Sequence, residues 1–318
     1  IQTHNFPDHD AVASAYALQY LLDKQGIKTH LIYEGTIGRA SLSKMVEDLK
    51  IDIKPASEYP IKPEDKIIIV DGCKGNKNVT DLIGDEVAVI DHHETTSPDD
   101  VRFSDIRAHL GACSTLIYNY FRELQAELQG QLPLKIPRRI STALLVGILV
   151  DTALLSRGVD LDDVTAYSNL YKMSDINYVN ALLRNYIQQK DLKFYKRAIE
   201  NVRIQKRFAF CYFSEGCNQN LLGIIGDFFL ALEEVDFVLL CAKNNSIINF
   251  SLRSEVEWWN AAIIIQDILK DIGFGGGHSD MAGGIIKDIR LFKEEDVFYK
   301  TSSILEEYKL KTGEKNEE

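Results

Sequence analysis

Of the seven histidines in this 318-residue chain, only His92 and His93 are adjacent, and they follow Asp91 at the end of the apolar run Val87-Ala88-Val89-Ile90. Two imidazoles and a carboxylate leaving one buried strand supply two nitrogens and an oxygen at a rigid point, which suits metal or phosphate chemistry. The triplet alone is unspecific. Three other stretches carry similar groups in what reads as the same strand-end context. His4, Asp8 and Asp10 share the loop that follows Ile1-Gln2-Thr3, where Pro7 keeps the backbone extended up to Asp8. Asp71 comes directly after Ile67-Ile68-Ile69-Val70, and Asp151 ends the almost wholly apolar stretch Leu144 to Thr152.

Each of these residues also has a plain reading. Asp8 or Asp10 could serve only to cap the following helix, and Asp71-Gly72 is good turn chemistry. A buried Asp151 could be paired with Arg138 or Arg157, because an unpaired carboxylate at the end of so apolar a segment is costly. Taken together, His4, Asp8, Asp10, Asp71, His92 and Asp151 give two imidazoles and four carboxylates with no thiolate. That donor set fits Mn²⁺ best, with Mg²⁺ or Co²⁺ as alternatives and structural Zn²⁺ disfavoured. Two such ions about 3.5 to 4 Å apart would clamp the attacking and leaving oxygens of a phosphoryl centre.

The elements that must position these groups alternate between strand and helix. A helix is predicted from Ala11 to Lys24, strands at Thr29 to Tyr33, Lys66 to Val70 and Val87 to Ile90, and a helix at Ala40 to Leu49. Short connections between them imply a doubly wound, mostly parallel sheet whose ligands sit at the carboxyl ends of the strands. Helices follow: Ser114 to Leu128, Arg138 to Leu149 opened by Pro137, one after the capping-box-like Asp160-Leu161-Asp162-Asp163, and one capped by Ser174. Around 191–204 the chain reads as a helical linker. It separates residues 1–190 from a second, smaller α/β domain, 205–318, expected across a cleft.

Composition bounds the function. The apolar content of 45% and charged content of 26% are those of a soluble globular protein, and the net charge of −11 argues against binding long duplex DNA. Five widely spaced cysteines give neither a disulfide framework nor a thiolate metal site, so a reducing cytoplasm is the expected setting. No apolar run approaches the roughly 18 residues of a membrane span, so no membrane partner is expected. The chain begins at Ile1 without a methionine and enters a motif almost at once, so the first strand is expected to start before Ile1. Lys311 to Glu318 reads as a charged, frayed tail.

Residues 1 to about 190 resemble the catalytic domain of the DHH phosphoesterase superfamily, with His4-Asn5-Phe6-Pro7-Asp8-His9-Asp10, Asp71, Asp91-His92-His93 and Asp151 as its four motifs. From about 205 the chain resembles the DHH-associated domain, through Ser251-Leu252-Arg253-Ser254 and Gly275-Gly276-Gly277-His278. Its size is similar to that of nanoRNase/pAp phosphatases. The resemblance implies that His4, Asp8 and Asp71 hold one cation and that Asp10, Asp71, His92 and Asp151 hold a second, with Asp71 bridging. It also implies that His93 faces the scissile phosphate, that Asp91 orients the histidine pair, and that Arg253 takes part in catalysis and substrate binding with Gly275, Gly276, Gly277 and His278. A core histidine remains the alternative for His93, and a plain glycine-rich turn the alternative for the glycine run, which could otherwise form an anion-binding nest.

The departure from the family pattern lies in Ser279-Asp280-Met281-Ala282-Gly283-Gly284, where Asp280 adds a negative charge near the supposed anion site. The function implied is hydrolysis of a short oligonucleotide or phosphorylated nucleotide, in a chain that pairs as a homodimer in many relatives. Inorganic pyrophosphate or polyphosphate hydrolysis is the alternative, and a non-catalytic nucleotide-binding protein on the same fold a further one.

Overall fold

The computed structural model of the protein describes residues 1–127, 135–184 and 187–313. It divides into two compact units, Ile1–Tyr186 and Ile187–Glu318. In the first, strands β1 (Gln2–Thr3), β2 (Leu31–Tyr33), β3 (Ile53–Pro55), β4 (Lys66–Val70), β5 (Asp85–Asp91) and β6 (Phe103–Ile106) form one sheet in the order β3-β2-β1-β4-β5-β6. All of its pairings are parallel, as the alternation of strands and helices predicts. The order reverses between β1 and β4, so the loops leaving their carboxyl ends diverge and open a crevice. Thr3 pairs with Val70, which puts His4 and Asp71 side by side, each one residue beyond its strand.

Helices α1 (His9–Lys24), α2 (Ala40–Asp48), α3 (Cys113–Glu127), α4 (Arg138–Asp151), α5 (Leu161–Met173) and α6 (Ile176–Arg184) complete this unit. Leu128, expected as the end of α3, lies outside the described residues. Every residue of α4 from Ile140 to Ile148 is buried, and the helix packs on α1 and α5. A helix surrounded in this way shows no polar stripe, which explains why its sequence reads as one continuous apolar run. Asp151 is therefore the last residue of a helix and not a strand end, a correction to the sequence reading. At α5, Asp160 and Asp163 form the expected capping box. The next helix is capped differently from expectation: Asp175 Oδ1 accepts from Tyr178 N at 3.1 Å, whereas Ser174 Oγ is buried with no hydrogen bond.

The second unit contains α7 (Leu192–Asn201), β7 (Arg203–Gln205), β8 (Phe208–Phe213), α8 (Gln219–Leu230), β9 (Phe237–Asn244), β10 (Ile247–Ser254), α9 (Ala261–Leu269), β11 (Phe274–Gly277), β12 (Met281–Ile286) and α10 (Glu294–Gly313). Its sheet runs β11-β12-β10-β9-β8-β7, antiparallel except for β8 against β9. The segment 191–204, read as a linker, belongs to this unit. Ala198 of α7 is fully buried in a cluster with Ala209, Phe213 and Leu222, and β7 extends the sheet. Residues 314–318 of the expected tail lie outside the described residues.

Candidate active site

Asp71 sits at the start of the crevice in a left-handed conformation (φ 58°), which aspartate tolerates better than branched or bulky residues do. Its side chain is 2% exposed. One oxygen, Oδ2, lies 3.7 Å from His4 Nε2, while the other, Oδ1, lies 3.4 Å from His92 Nε2. The two histidines are oriented in the same manner. His4 Nδ1 lies 2.9 Å from its neighbour's carbonyl, Asn5 O, and His92 Nδ1 lies 3.1 Å from Leu110 O, so each Nδ1–H donates to backbone and each Nε2 faces Asp71.

Around these pairs the remaining carboxylates close in. Asp8 Oδ1 is 3.9 Å from His4 Nε2, and the same oxygen accepts from Asp10 N and Ala11 N as the N-cap of α1. Capping and membership of the cluster thus coexist in one side chain. Asp151 Oδ2 is 3.2 Å from His92 Nε2 and Asp10 Oδ2 is 3.9 Å from it. The donor atoms fall into three overlapping groups, His4/Asp8/Asp71, Asp10/His92/Asp151 and Asp71/His92/His93, each with its atoms within 4.8 Å of one another.

Asp10 has a second task that its sequence neighbourhood does not disclose. It accepts from Cys113 N at 2.6 Å and Ser114 N at 2.9 Å, and so caps α3 from about a hundred residues away. A carboxylate oxygen keeps a second lone pair after accepting one hydrogen bond, so the cap leaves Asp10 able to ligate. This arrangement requires Gly147 in α4, since a Cβ there would lie 2.2 Å from Ser114 Oγ and 2.8 Å from Asp10 Oδ1. Ser114 and Gly147 are neighbours of Asp10 that the sequence reading missed, because only helix packing brings them together.

Asp91 is fully buried and does not join the three groups. Its Oδ1 accepts from His92 N (2.9 Å), His93 N (3.3 Å) and His93 Nδ1 (2.8 Å), fixing the backbone turn and aiming the ring of His93. Burial opposes ionisation of Asp91, but its hydrogen bond and charge interaction with His93 prevail and hold its carboxyl below the usual range. His93 is correspondingly raised: burial works against it, and Asp91 and Asp71 overcome the effect.

The electrostatics of the remainder describe a site crowded with negative charge. Burial and the charges of Asp71 and Asp151 push Asp10 well above the ordinary carboxylate range. Asp151 is raised by burial, with Asp8 and Asp71 adding to it and His92 opposing. Burial lowers His4, yet the bond to Asp8 and the charges of Asp8 and Asp71 carry it up to about 10. Asp71 Oδ1 and His92 Nε2 are buried without a hydrogen bond. Buried polar atoms are rarely left so. Oxygen and imidazole donors, unsatisfied and converging, fit a hard or borderline divalent cation.

In the second unit Arg253 lies on β10 beneath α8. Its Nε donates to Asp227 Oδ1 (2.6 Å) and its Nη1 to Leu252 O (2.8 Å) and Ser251 Oγ (3.3 Å). Gly223 of α8 makes room for it, since a Cβ there would lie 2.7 Å from Arg253 Nη2. The glycine run is not a nest. Gly275, Gly276 and Gly277 belong to edge strand β11, paired with β12. Gly275 and Gly284 lack side chains because α9 packs on them, and a Cβ would lie 2.5 Å from Ile265 and from Leu269, respectively. His278 is exposed; its N donates to Met281 O at 2.7 Å and its O accepts from Ala262 N at 3.1 Å, which closes the β11–β12 turn.

No helix among the described residues is long and apolar enough to cross a membrane. The chain is 27% identical over 287 residues to an uncharacterized protein of Methanocaldococcus jannaschii, covering 90% of this chain and 57% of that one. It is 30% identical over 184 residues to a probable manganese-dependent inorganic pyrophosphatase of Lactiplantibacillus plantarum, covering 55% of each. It thus spans little more than half the length of the curated relatives it matches. Among solved structures, an exopolyphosphatase-related protein of Bacteroides fragilis superposes with a TM-score of 0.78 at 18% identity, covering 97% of this chain and 91% of that one, which establishes a shared fold. Residues 1–148 match the DHH family N-terminal domain and residues 205–308 match the DHHA1 domain, and with both domains present in order the chain belongs to the DHH family.

Proposed function

We propose that the chain is a divalent-cation-dependent phosphoesterase that hydrolyses a short oligonucleotide or a phosphorylated nucleotide. The observation that carries this reading is that Asp71, at the switch point of the sheet, faces His4 with one oxygen and His92 with the other, while Asp8 gathers about His4 and Asp10 and Asp151 about His92. His4, Asp8 and Asp71 would hold one cation, and Asp10, Asp71, His92 and Asp151 another, with Mn²⁺ best suited to these donors. Bound cations supply Lewis acidity and neutralise charge on a phosphoryl group. Asp91 holds His93 by its Nδ1, and the ring, with its raised pKa, is the group proposed to donate a proton or hydrogen bond to a phosphate oxygen. In the second unit, Arg253 and His278 are the groups proposed to bind the substrate's outer phosphate or base.

A second reading is inorganic pyrophosphate hydrolysis, favoured by the names of several relatives matched over little more than half of the chain. The two are separated by Mn²⁺-dependent assays on pAp, pGpG, RNA of two to about ten nucleotides, long single-stranded DNA and pyrophosphate. Cleavage of the short nucleotides is expected. Turnover of pyrophosphate alone would overturn the proposal.

A further inference from the structure

Phe6 stands in the loop between two members of the cluster, His4 and Asp8, and it is 66% exposed. Its backbone is left-handed (φ 56°), an uncommon state for a bulky aromatic residue, and is pinned there by a bond from Phe6 N to Glu34 O at 2.8 Å. Strain of this kind at a functional loop is informative. The ring rests on Gly35, also left-handed (φ 84°), where an added Cβ would lie 2.6, 2.7 and 2.9 Å from three consecutive ring carbons. Near-equal distances to adjacent carbons mean an approach onto the face of the ring, because an edge-on approach would separate them far more. One face of Phe6 therefore lies on a residue with no side chain, and the exposure belongs to the other face. A hydrophobic residue that merely filled space would not be presented in this way.

From these observations, and resting on the phosphoesterase reading above, we infer that Phe6 is a stacking platform for the nucleobase of the substrate, so that the catalytic unit carries its own base subsite. Two residues span at most about 7 Å, so the Cα of Phe6 lies within that distance of the Cα of both His4 and Asp8. A nucleotide with its phosphate at the cluster has its base within reach of the ring. Stacking is tolerant of base identity, since every base has a π-face, so the subsite selects nucleotides over pyrophosphate without reading sequence. Gly35 is the positioning residue: any side chain there would lift the ring off its support.

The test measures kcat and KM with Mn²⁺ for the wild-type chain, Phe6→Ala, Phe6→Leu and Phe6→Trp, on pAp and pApA and on the abasic counterpart of each. In the wild type, removal of the base is expected to raise KM roughly tenfold or more. That penalty should vanish in Phe6→Ala and Phe6→Leu and return in Phe6→Trp, which isolates the ring–base term. Mn²⁺ binding by calorimetry should stay within about twofold in all variants, which distinguishes loss of stacking from collapse of the loop. If the wild type cleaves nucleotides and Phe6→Ala and Phe6→Leu retain the full base preference, the subsite is refuted and the phosphoesterase reading stands. If the wild type turns over pyrophosphate but neither nucleotide, both fall together.

Discussion

His92 Nε2 and Asp71 Oδ1 face each other at 3.4 Å, both buried and neither hydrogen-bonded. A proton or a cation can hold such a pair together. Asp71→Asn keeps the size and the left-handed tolerance of Asp71 while removing its charge. We expect Mn²⁺-dependent turnover to fall by about 100-fold or more. The metal-free variant should melt no lower than the metal-free wild type, because Asp10 and Asp151 lose a repulsive neighbour. Steady-state assays read the first and differential scanning calorimetry with and without Mn²⁺ the second, and undiminished thermal stabilisation by Mn²⁺ would remove Asp71 from the site.

Protons compete with the cation. Without metal, His4 titrates near 10, and His92, Asp10 and Asp151 are all raised. Groups with raised values hold protons that a cation must displace, so Mn²⁺ affinity should increase from about pH 6 to about pH 9, with proton release. Titration calorimetry in two buffers of different ionisation enthalpy measures the release. A pH-independent Kd would contradict this account.

His9 moves the other way. It is 2% exposed, with Nε2 3.0 Å from Ser41 Oγ, and burial together with the charge of Arg39 lowers it from 6.5 to about 4. Because the folded value lies below the unfolded one, protonation favours the unfolded chain. The cost is absent above about pH 6.5 and grows to about 3 kcal/mol as pH falls through about 4. His9→Gln should flatten that acid limb in urea unfolding, and an unchanged slope would assign the acid sensitivity elsewhere.

Gly147→Ala tests the crossing of α1, α3 and α4. Alanine is the better helix former by about 1 kcal/mol, yet its Cβ would strike Ser114 Oγ and Asp10 Oδ1. Net destabilisation of about 2 kcal/mol is expected, with weakened Mn²⁺ binding as Asp10 is displaced. Stabilisation in chemical denaturation would show that the helices part at no cost to the site.

Asp163 reaches the site through backbone. Fully buried, it accepts from Gly111 N and Asp160 N, both at 2.8 Å, and from Thr115 Oγ1. Gly111 follows Leu110, whose carbonyl holds His92 Nδ1. Asp163→Ala should cost about 3 kcal/mol and also weaken Mn²⁺ binding, since three donors lose their acceptor and Leu110 is released. Loss of stability with unaltered Mn²⁺ affinity would confine Asp163 to the scaffold.

Much of the first unit was legible in order of sequence. Runs such as Ile67-Ile68-Ile69-Val70 mark buried parallel strands, and the residue after each run points to the crevice, so His4, Asp71 and His92 could be placed from their local context alone. Edge strands β3, which contains Pro55, and β6 escaped notice, because an edge needs little apolar sequence. The conformation of the glycine run was ambiguous for a related reason. Local sequence shows that glycine is permissive but not whether it serves a nest or a helix packed on a strand.

The sequence by itself determined the donor set, the alternation that makes a parallel sheet, and the order of the two domains, because these depend on residue type and local period. Tertiary structure decided which nitrogen of each histidine is left for a ligand, that Asp10 both caps α3 and faces His92, that Asp151 arrives from a helix, and that Gly147 must lack a side chain. Each of these rests on contacts between residues far apart in the chain, where the controlling quantity is a distance of a few ångströms that no local pattern encodes.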